Sequence, residues 1–313
     1  MTTRESERRR VVRLVIIIAA IGFAVYVIAP QVAELGDAFR ALRKGRWRYL
    51  TLALAGAALT YGTGAWTVSA STRLRLSFAR TYMAQLAASL MAVVTPAGLG
   101  WVAVTDSYLR KAGADENTAH TATTLTMIIT FLSHLALLAI LIPLLPTLHL
   151  PEIQLPSTQT VVEVALIALV VAGVAFWIPV SRRRILMELV GMTRAVPAVL
   201  GDPGRSFVMV IAAVTGNLAF AIALIGAVAA YSPVPSVLGI LVAYMVSATI
   251  AAVSPTPGGI GAMEAALIAS LTRLGVAGGA AVAAALTFRL VTFWLPMPVG
   301  GWALRRGRRE GWL

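Results

Sequence analysis

The sequence predicts an all-α, polytopic integral membrane helical bundle, with two re-entrant hairpins broken by proline and glycine and related as an inverted repeat. Three observations predict it. Of 313 residues, 58% are hydrophobic and only 12% charged, where a soluble domain carries roughly 25% charged. The cations fall in short clusters between long apolar runs, the pattern of loops that face anionic lipid. Finally, Thr95-Pro96-Ala97-Gly98-Leu99-Gly100 and Thr256-Pro257-Gly258-Gly259-Ile260-Gly261 each interrupt an apolar run with residue types that end helices. Irregular backbone is tolerated at membrane depth only where it is buried in protein or lines a polar cavity.

Composition excludes several classes. The net charge of +13 belongs to loops rather than to a soluble basic module, so no nucleic-acid partner is expected. Cysteine is absent and the three histidines lack ligand spacing, so neither a disulfide nor a metal is expected, and no cofactor.

In chain order, residues 1–13 form a basic cytoplasmic amino terminus and 14–304 a single transmembrane domain. The apolar run 14–29 reads as an uncleaved first helix, and 30–48 as an amphipathic interfacial helix with Leu35, Phe39 and Leu42 on one face. If the first helix crosses, the basic 30–48 segment lies outside, against the positive-inside rule, so a helix that dips without crossing stays open. Residues 49–70 make the next span, and the arginines at 73, 75 and 80 return the chain to the cytoplasm. The run from 81 enters the first break and emerges at Asp106, Arg110 and Lys111, which predicts a re-entrant hairpin from the inside. Span 117–146 leads to an outer loop, 147–159, and 160–180 returns to the basic loop 181–205. Span 206–231 goes out; 237–274 holds the second break, entered from outside; 276–304 ends at the basic cytoplasmic tail 305–313.

The breaks share T-P-x-G-x-G at 161 positions' separation, Thr95 against Thr256. Leu125-Thr126 matches Leu286-Thr287 at the same offset, and Thr130-Phe131 matches Thr292-Phe293 with one insertion. Opposite entry sides make these the halves of an inverted repeat, about 49–146 and 206–304. Paired broken helices of this kind point to a transport site.

Pro255 to Glu264, read P-T-P-G-G-I-G-A-M-E, and Phe288 to Pro296, read F-R-L-V-T-F-W-L-P, resemble the membrane region of lysylphosphatidylglycerol synthases and related stand-alone flippase-like proteins. The likeness extends over 10–304, with its specific motifs between 254 and 296. Where that family often has Gly-Asp and then Arg after the first break, this chain has Trp101, Val102 and Thr105. The resemblance implies a lipid-handling membrane domain. Only nine residues follow Leu304, so no aminoacyl-transfer domain is expected and lysyl transfer is not predicted.

Glu264 and Arg289 are the leading site candidates, since each sits alone in an apolar run and a charge at the bilayer centre costs about 2.5–3.5 kcal/mol on insertion scales. They read either as an anionic-headgroup site or as an ion pair that closes the second hairpin on the last helix. Pro257, Gly258, Gly259 and Gly261, with Pro96, Gly98 and Gly100, read as cavity-shaping backbone or as packed kinks. Asp106 reads as a solvated charge near the inner mouth or as a headgroup contact. His134 and Asn217 read as interhelical hydrogen-bond partners, and His134 alternatively as a proton relay. Trp47, Trp101 and Trp302 read as interface anchors or packing residues.

The function expected is a cell-membrane flippase that translocates or binds a lipid or lipid-linked headgroup, anionic by the excess of arginine, with both termini cytoplasmic. The alternative is a non-transporting subunit that presents lipid to a separate enzyme. No loop holds a nucleophile or acid–base cluster, so enzymatic activity is not expected. No Walker-type loop is present, so movement would be downhill or ion-coupled. Homo-oligomer and partner enzyme both stay open.

Overall fold

The computed structural model describes residues 43–95, 99–141, 143, 201–254 and 256–313. The expected first helix, residues 30–42 of the amphipathic segment, the outer loop at 147–159, span 160–180 and most of loop 181–205 lie outside the described residues, as do Pro96 and Gly98. Four helices make the first half: α1 (Trp47–Ala70), α2 (Phe78–Val94), α3 (Leu99–Lys111) and α4 (Glu116–Leu141). The second half follows the same order. It has α5 (Pro203–Ala229), α6 (Val237–Val253), a tight 3-10 turn (Pro257–Gly259) and α7 (Ala262–Arg273). Next come α8 (Gly278–Arg289), a π turn (Leu290–Trp294) and α9 (Pro296–Glu310). No strand occurs among the described residues.

Among the described residues, three helical stretches are long and apolar enough to cross a membrane: Glu116–Leu141, Pro203–Ala229 and Gly278–Glu310. The chain is an all-helical membrane protein. α1 has 24 residues but is richer in threonine and glycine. Its Thr60, Thr63, Thr67 and Ser69 hydroxyls each donate to a carbonyl of their own helix, at 2.7 to 2.9 Å. That self-satisfaction lets polar side chains sit where water is absent.

Helix ends follow local chemistry. Asp202 caps α5 by accepting from the Arg205 amide, with Pro203 in the first turn. This draws the helix start back from the expected 206 to 203. Asp115 accepts from the Thr118 amide and hydroxyl at 3.0 and 2.6 Å and starts α4. At its other end α4 is described as far as Leu141, and the expected end at 146 lies outside the described residues. The last helix continues beyond Leu304 to Glu310.

The two broken segments have matched arms. α2 and α6 contain 17 residues each, α3 and α7 contain 13 and 12, all below the roughly 20 needed to cross the hydrocarbon. The helices flanking each break pack against each other, α3 against α2 and α7 against α6.

Among the described residues α1 and α5 form the most extensive helix contact, and they run antiparallel. Arg46 Nη2 donates to Ala229 O at 2.6 Å, at the end of α5; Arg205 donates from Nε and Nη2 to Ala70 O at 3.2 and 3.1 Å, at the end of α1. Each arginine thus supplies the cation that a helix carboxyl end favours. The two caps are reciprocal: Arg46 and Arg205, and likewise Ala70 and Ala229, stand 159 positions apart, the same offset that separates α2 from α6. Between the caps, Ala-Leu-Ala-Gly-Ala at 53–57 lies on Ala-Leu-Ile-Gly-Ala at 223–227. Without a hydrophobic driving force between helices in lipid, such small residues supply the close packing that holds a pair together.

Around this pair, Leu224, Ile240, Met245, Leu267, Leu271 and Phe288 fill the core of the second half. α9 lies on α2 so closely that a Cβ on Gly300 would fall 2.4 Å from Leu86 O. Beyond α9, Trp312 meets Tyr108 of α3 edge-on, with ring centroids 6.2 Å apart. The second break therefore sits between α6, α7 and the α8–α9 bend, and its tight turn also packs on α2.

Candidate functional site

The second break is built from hydroxyls and glycines. Ser254 Oγ and Thr256 Oγ1 share a hydrogen bond of 2.8 Å, and Thr256 Oγ1 donates to Ile260 O at 2.9 Å. The Gly259 amide donates to Thr256 O at 3.0 Å, which closes the turn. Gly258, Gly259 and Gly261 have φ of 63°, 65° and 81°, a region that costs a residue with a side chain about 1–2 kcal/mol. Pro257 opens the turn and contributes no amide hydrogen.

α7 begins immediately after. Glu264, in its first turn, accepts the Gly261 amide through Oε2 at 2.7 Å, the backward half of a capping box. Its other oxygen, Oε1, accepts from Arg289 Nε on α8 in a direct ion pair. Arg289 Nη2 donates to Gly258 O at 3.2 Å, and the guanidinium carbon lies 3.9 Å from the centre of the Phe293 ring. Glu264 and Arg289 are 5% and 6% exposed. One buried arginine therefore ties the glycine turn, the start of α7 and the α8–α9 bend together.

The π turn explains how the last helix serves this purpose. Leu295 N donates to Leu290 O at 2.8 Å, the wide spacing of a π-bulge, a feature frequent at functional sites. It follows Arg289 directly, and the Thr292 carbonyl within it accepts from Tyr61 of α1 at 3.4 Å. Removing a buried charge from water costs several kcal/mol, recovered only with full pairing and hydrogen bonding. The carboxylate, carbonyl and aromatic face meet that demand here. Both sequence readings are thus compatible with one geometry: the pair closes the hairpin on the last helix, and an anion could take the carboxylate's place on Arg289.

The other expected residues fall elsewhere. Gly100 belongs to the first break, where its amide donates to Thr95 Oγ1 at 2.6 Å and Thr95 Oγ1 donates to Met91 O at 2.7 Å. A Cβ on Gly100 would lie 2.0 Å from Met91 O, so only glycine fits. Asp106 pairs with Arg110 one turn on in α3, at 3.6 Å, and is half-buried. His134 and Asn217 do meet across helices. Trp47 and Trp302 are exposed, 76% and 52%, whereas Trp101 turns inward and donates to Gln85 Oε1 at 3.1 Å. Where the resembling family often places charge, this chain has that neutral bond. The sequence reading missed Thr95, Thr256, Tyr61 and Phe293. The threonines had a signal, since they head both T-P-x-G-x-G copies, and Phe293 stands in the 288–296 motif; Tyr61 had none beyond composition.

The glycines separate by their surroundings. A Cβ on Gly259 would lie 2.6 Å from Ala251 Cβ, while nothing stands within 4 Å of one on Gly261. Gly259→Ala is expected to destabilise by about 2–4 kcal/mol, combining backbone strain and overpacking. Gly261→Ala should cost only the strain, about 1–2 kcal/mol. Thermal unfolding of both variants in lipid nanodiscs checks the order.

The family model described as the lysylphosphatidylglycerol synthase TM region matches residues 10–300 of the chain. No curated protein matches it.

Proposed function

The chain belongs to the lysylphosphatidylglycerol synthase TM region family, and from that premise we propose that it is a lipid-handling protein of the cell membrane, one that moves an anionic lipid or lipid-linked headgroup between leaflets. The observation that carries this reading is the buried Arg289, held by Glu264, the Gly258 carbonyl and Phe293 beside a glycine turn. A guanidinium is the side chain best suited to a phosphate, which it grips through two parallel hydrogen bonds. The substrate phosphate displaces Glu264 from Arg289, and the glycine amides and the start of α7 add positive potential.

Supporting the transport reading are arms too short to cross, two breaks in corresponding places and reciprocal caps on antiparallel α1 and α5. These fit re-entrant hairpins in an inverted repeat, with both termini on the cytoplasmic side. A second reading has its own observation in favour: Glu264 and Arg289 are buried and mutually satisfied, as in a fixed latch. On that reading the protein holds lipid for a partner enzyme.

The test is a leaflet-exposure assay on reconstituted vesicles that carry a labelled anionic phospholipid, with a labelled zwitterionic lipid as the control. Protein-dependent exposure of the anionic lipid supports transport. Binding without exposure supports the presenting subunit, and a new labelled product would make the protein an enzyme.

A further inference from the structure

His134, in α4, bridges two other helices. Its Nδ1 lies 2.8 Å from Asn217 Oδ1 on α5, and its Nε2 lies 3.1 Å from Thr249 Oγ1 on α6. Asn217 Nδ2 donates to Ala213 O at 3.1 Å, which turns Oδ1 toward the imidazole. An amide oxygen only accepts, so Nδ1 carries a hydrogen and donates.

The Nε2 side has two solutions. Thr249 Oγ1 also lies 2.9 Å from Met245 O, and its single hydrogen serves either neighbour. With a neutral ring, the hydroxyl donates to Nε2. With a protonated ring, Nε2–H donates to Oγ1 and the hydroxyl turns to Met245 O. Each state leaves both ring nitrogens and the hydroxyl hydrogen bonded, and a hydroxyl rotation accompanies the gain or loss of the proton. A merely structural bridge needs one of these arrangements; this site provides both.

The groups that face the ring are themselves neutral, Asn217 from α5 and Thr249 from α6. Among the described residues, the titratable side chain of α6 is Tyr244, whose ring stacks on Phe220 at 5.1 Å. That of α5 is Arg205, bonded to Ala70 O at the helix end. α1 brings Tyr61, which donates to the Thr292 carbonyl. Asp106 and Arg110 of α3 pair with each other, and His120 and Glu116 lie in the first turns of α4. Among the described residues no carboxylate bonds the ring to hold it permanently charged, which suits a proton that must leave again.

We propose that His134, with Asn217 and Thr249, forms a proton-binding site inside the helical bundle. The site stands on its own hydrogen bonds and holds whether or not the lipid reading does. It lies on α6 one turn before the second break, next to Ala251, on which Gly259 packs. A proton bound there is placed where the hairpin's position and its protonation state depend on each other, a candidate source of ion coupling.

Nitrogen NMR on the full chain in lipid nanodiscs, labelled at its three histidines, tests this. The resonance absent from His134→Gln should convert from the Nδ1–H neutral form to imidazolium as the sample is taken from neutral to acidic pH. Thr249→Val should alter that conversion, because Nε2 loses the hydroxyl that bonds it in either state. If His134→Gln does not fold, His120→Gln and His149→Gln assign the same signal by elimination. A ring that keeps one neutral tautomer over the whole range overturns the proposal, and so does a Thr249→Val titration that coincides with the wild type.

Discussion

Arg289→Gln, reconstituted into vesicles, is expected to abolish protein-dependent exposure of the anionic lipid and to lower the unfolding midpoint as well. The stability loss comes from Glu264, left buried without its cation; breaking such a pair costs about 3–5 kcal/mol. Glu264→Gln should destabilise by a similar amount, since Arg289 keeps the Gly258 carbonyl and the Phe293 ring but loses its carboxylate. The double variant Glu264→Gln/Arg289→Gln separates the two roles. With no unpaired charge, it should recover most of the stability and none of the transport. Wild-type exposure by the double variant would remove Arg289 from the substrate path. Arg289→Lys keeps the charge but reaches only one of the two acceptors, so it should be intermediate in both assays.

Gly56→Val and Gly226→Val are expected to be the most damaging changes outside the site. A Cβ at either position would stand 2.5 Å from a backbone nitrogen of the facing helix, Ala223 N or Ala53 N. Backbone cannot rotate aside as a side chain can, so α1 and α5 must separate along their contact. Overpacking costs about 1–3 kcal/mol where neighbours can adjust; here the loss should exceed the top of that range. The same separation would pull Arg46 and Arg205 from the helix ends they cap. Proteolysis of both variants in nanodiscs, against Gly204→Ala at an open position in α5, provides the check. Protection equal to that control would mean the two helices are not held at this contact.

Much of the helix order is legible in the chain. Apolar runs mark α1, α4, α5 and the α8–α9 stretch, while Thr95 and Thr256 with their prolines and glycines mark both breaks. Those signals are local, and each acts through hydropathy or backbone conformation at its own position. Glu264 and Arg289 stood out for the same reason, as lone charges in hydrocarbon-like sequence. Their pairing was legible only as one of two readings, because nothing in the spacing of 264 and 289 fixes how α7 meets α8. The π turn after Arg289 left no mark at all, since its residues differ little from those of any apolar helix.

By itself the sequence determined the membrane class, the positions of the two breaks and the two charges that must be neutralised, because burial costs are set residue by residue. The tertiary structure decided the partners: Arg289 with Gly258 and Phe293, His134 with Asn217 and Thr249, Arg46 and Arg205 with each other's helices. It also placed Arg46 and Arg205, and α2 and α6, 159 positions apart, beside the three matches at 161 and 162 positions that the sequence carries. The physical reason is that apolar helices in lipid have many nearly equivalent registers. Close contacts of small residues and a few hydrogen bonds select among them, and those exist only once the helices are packed.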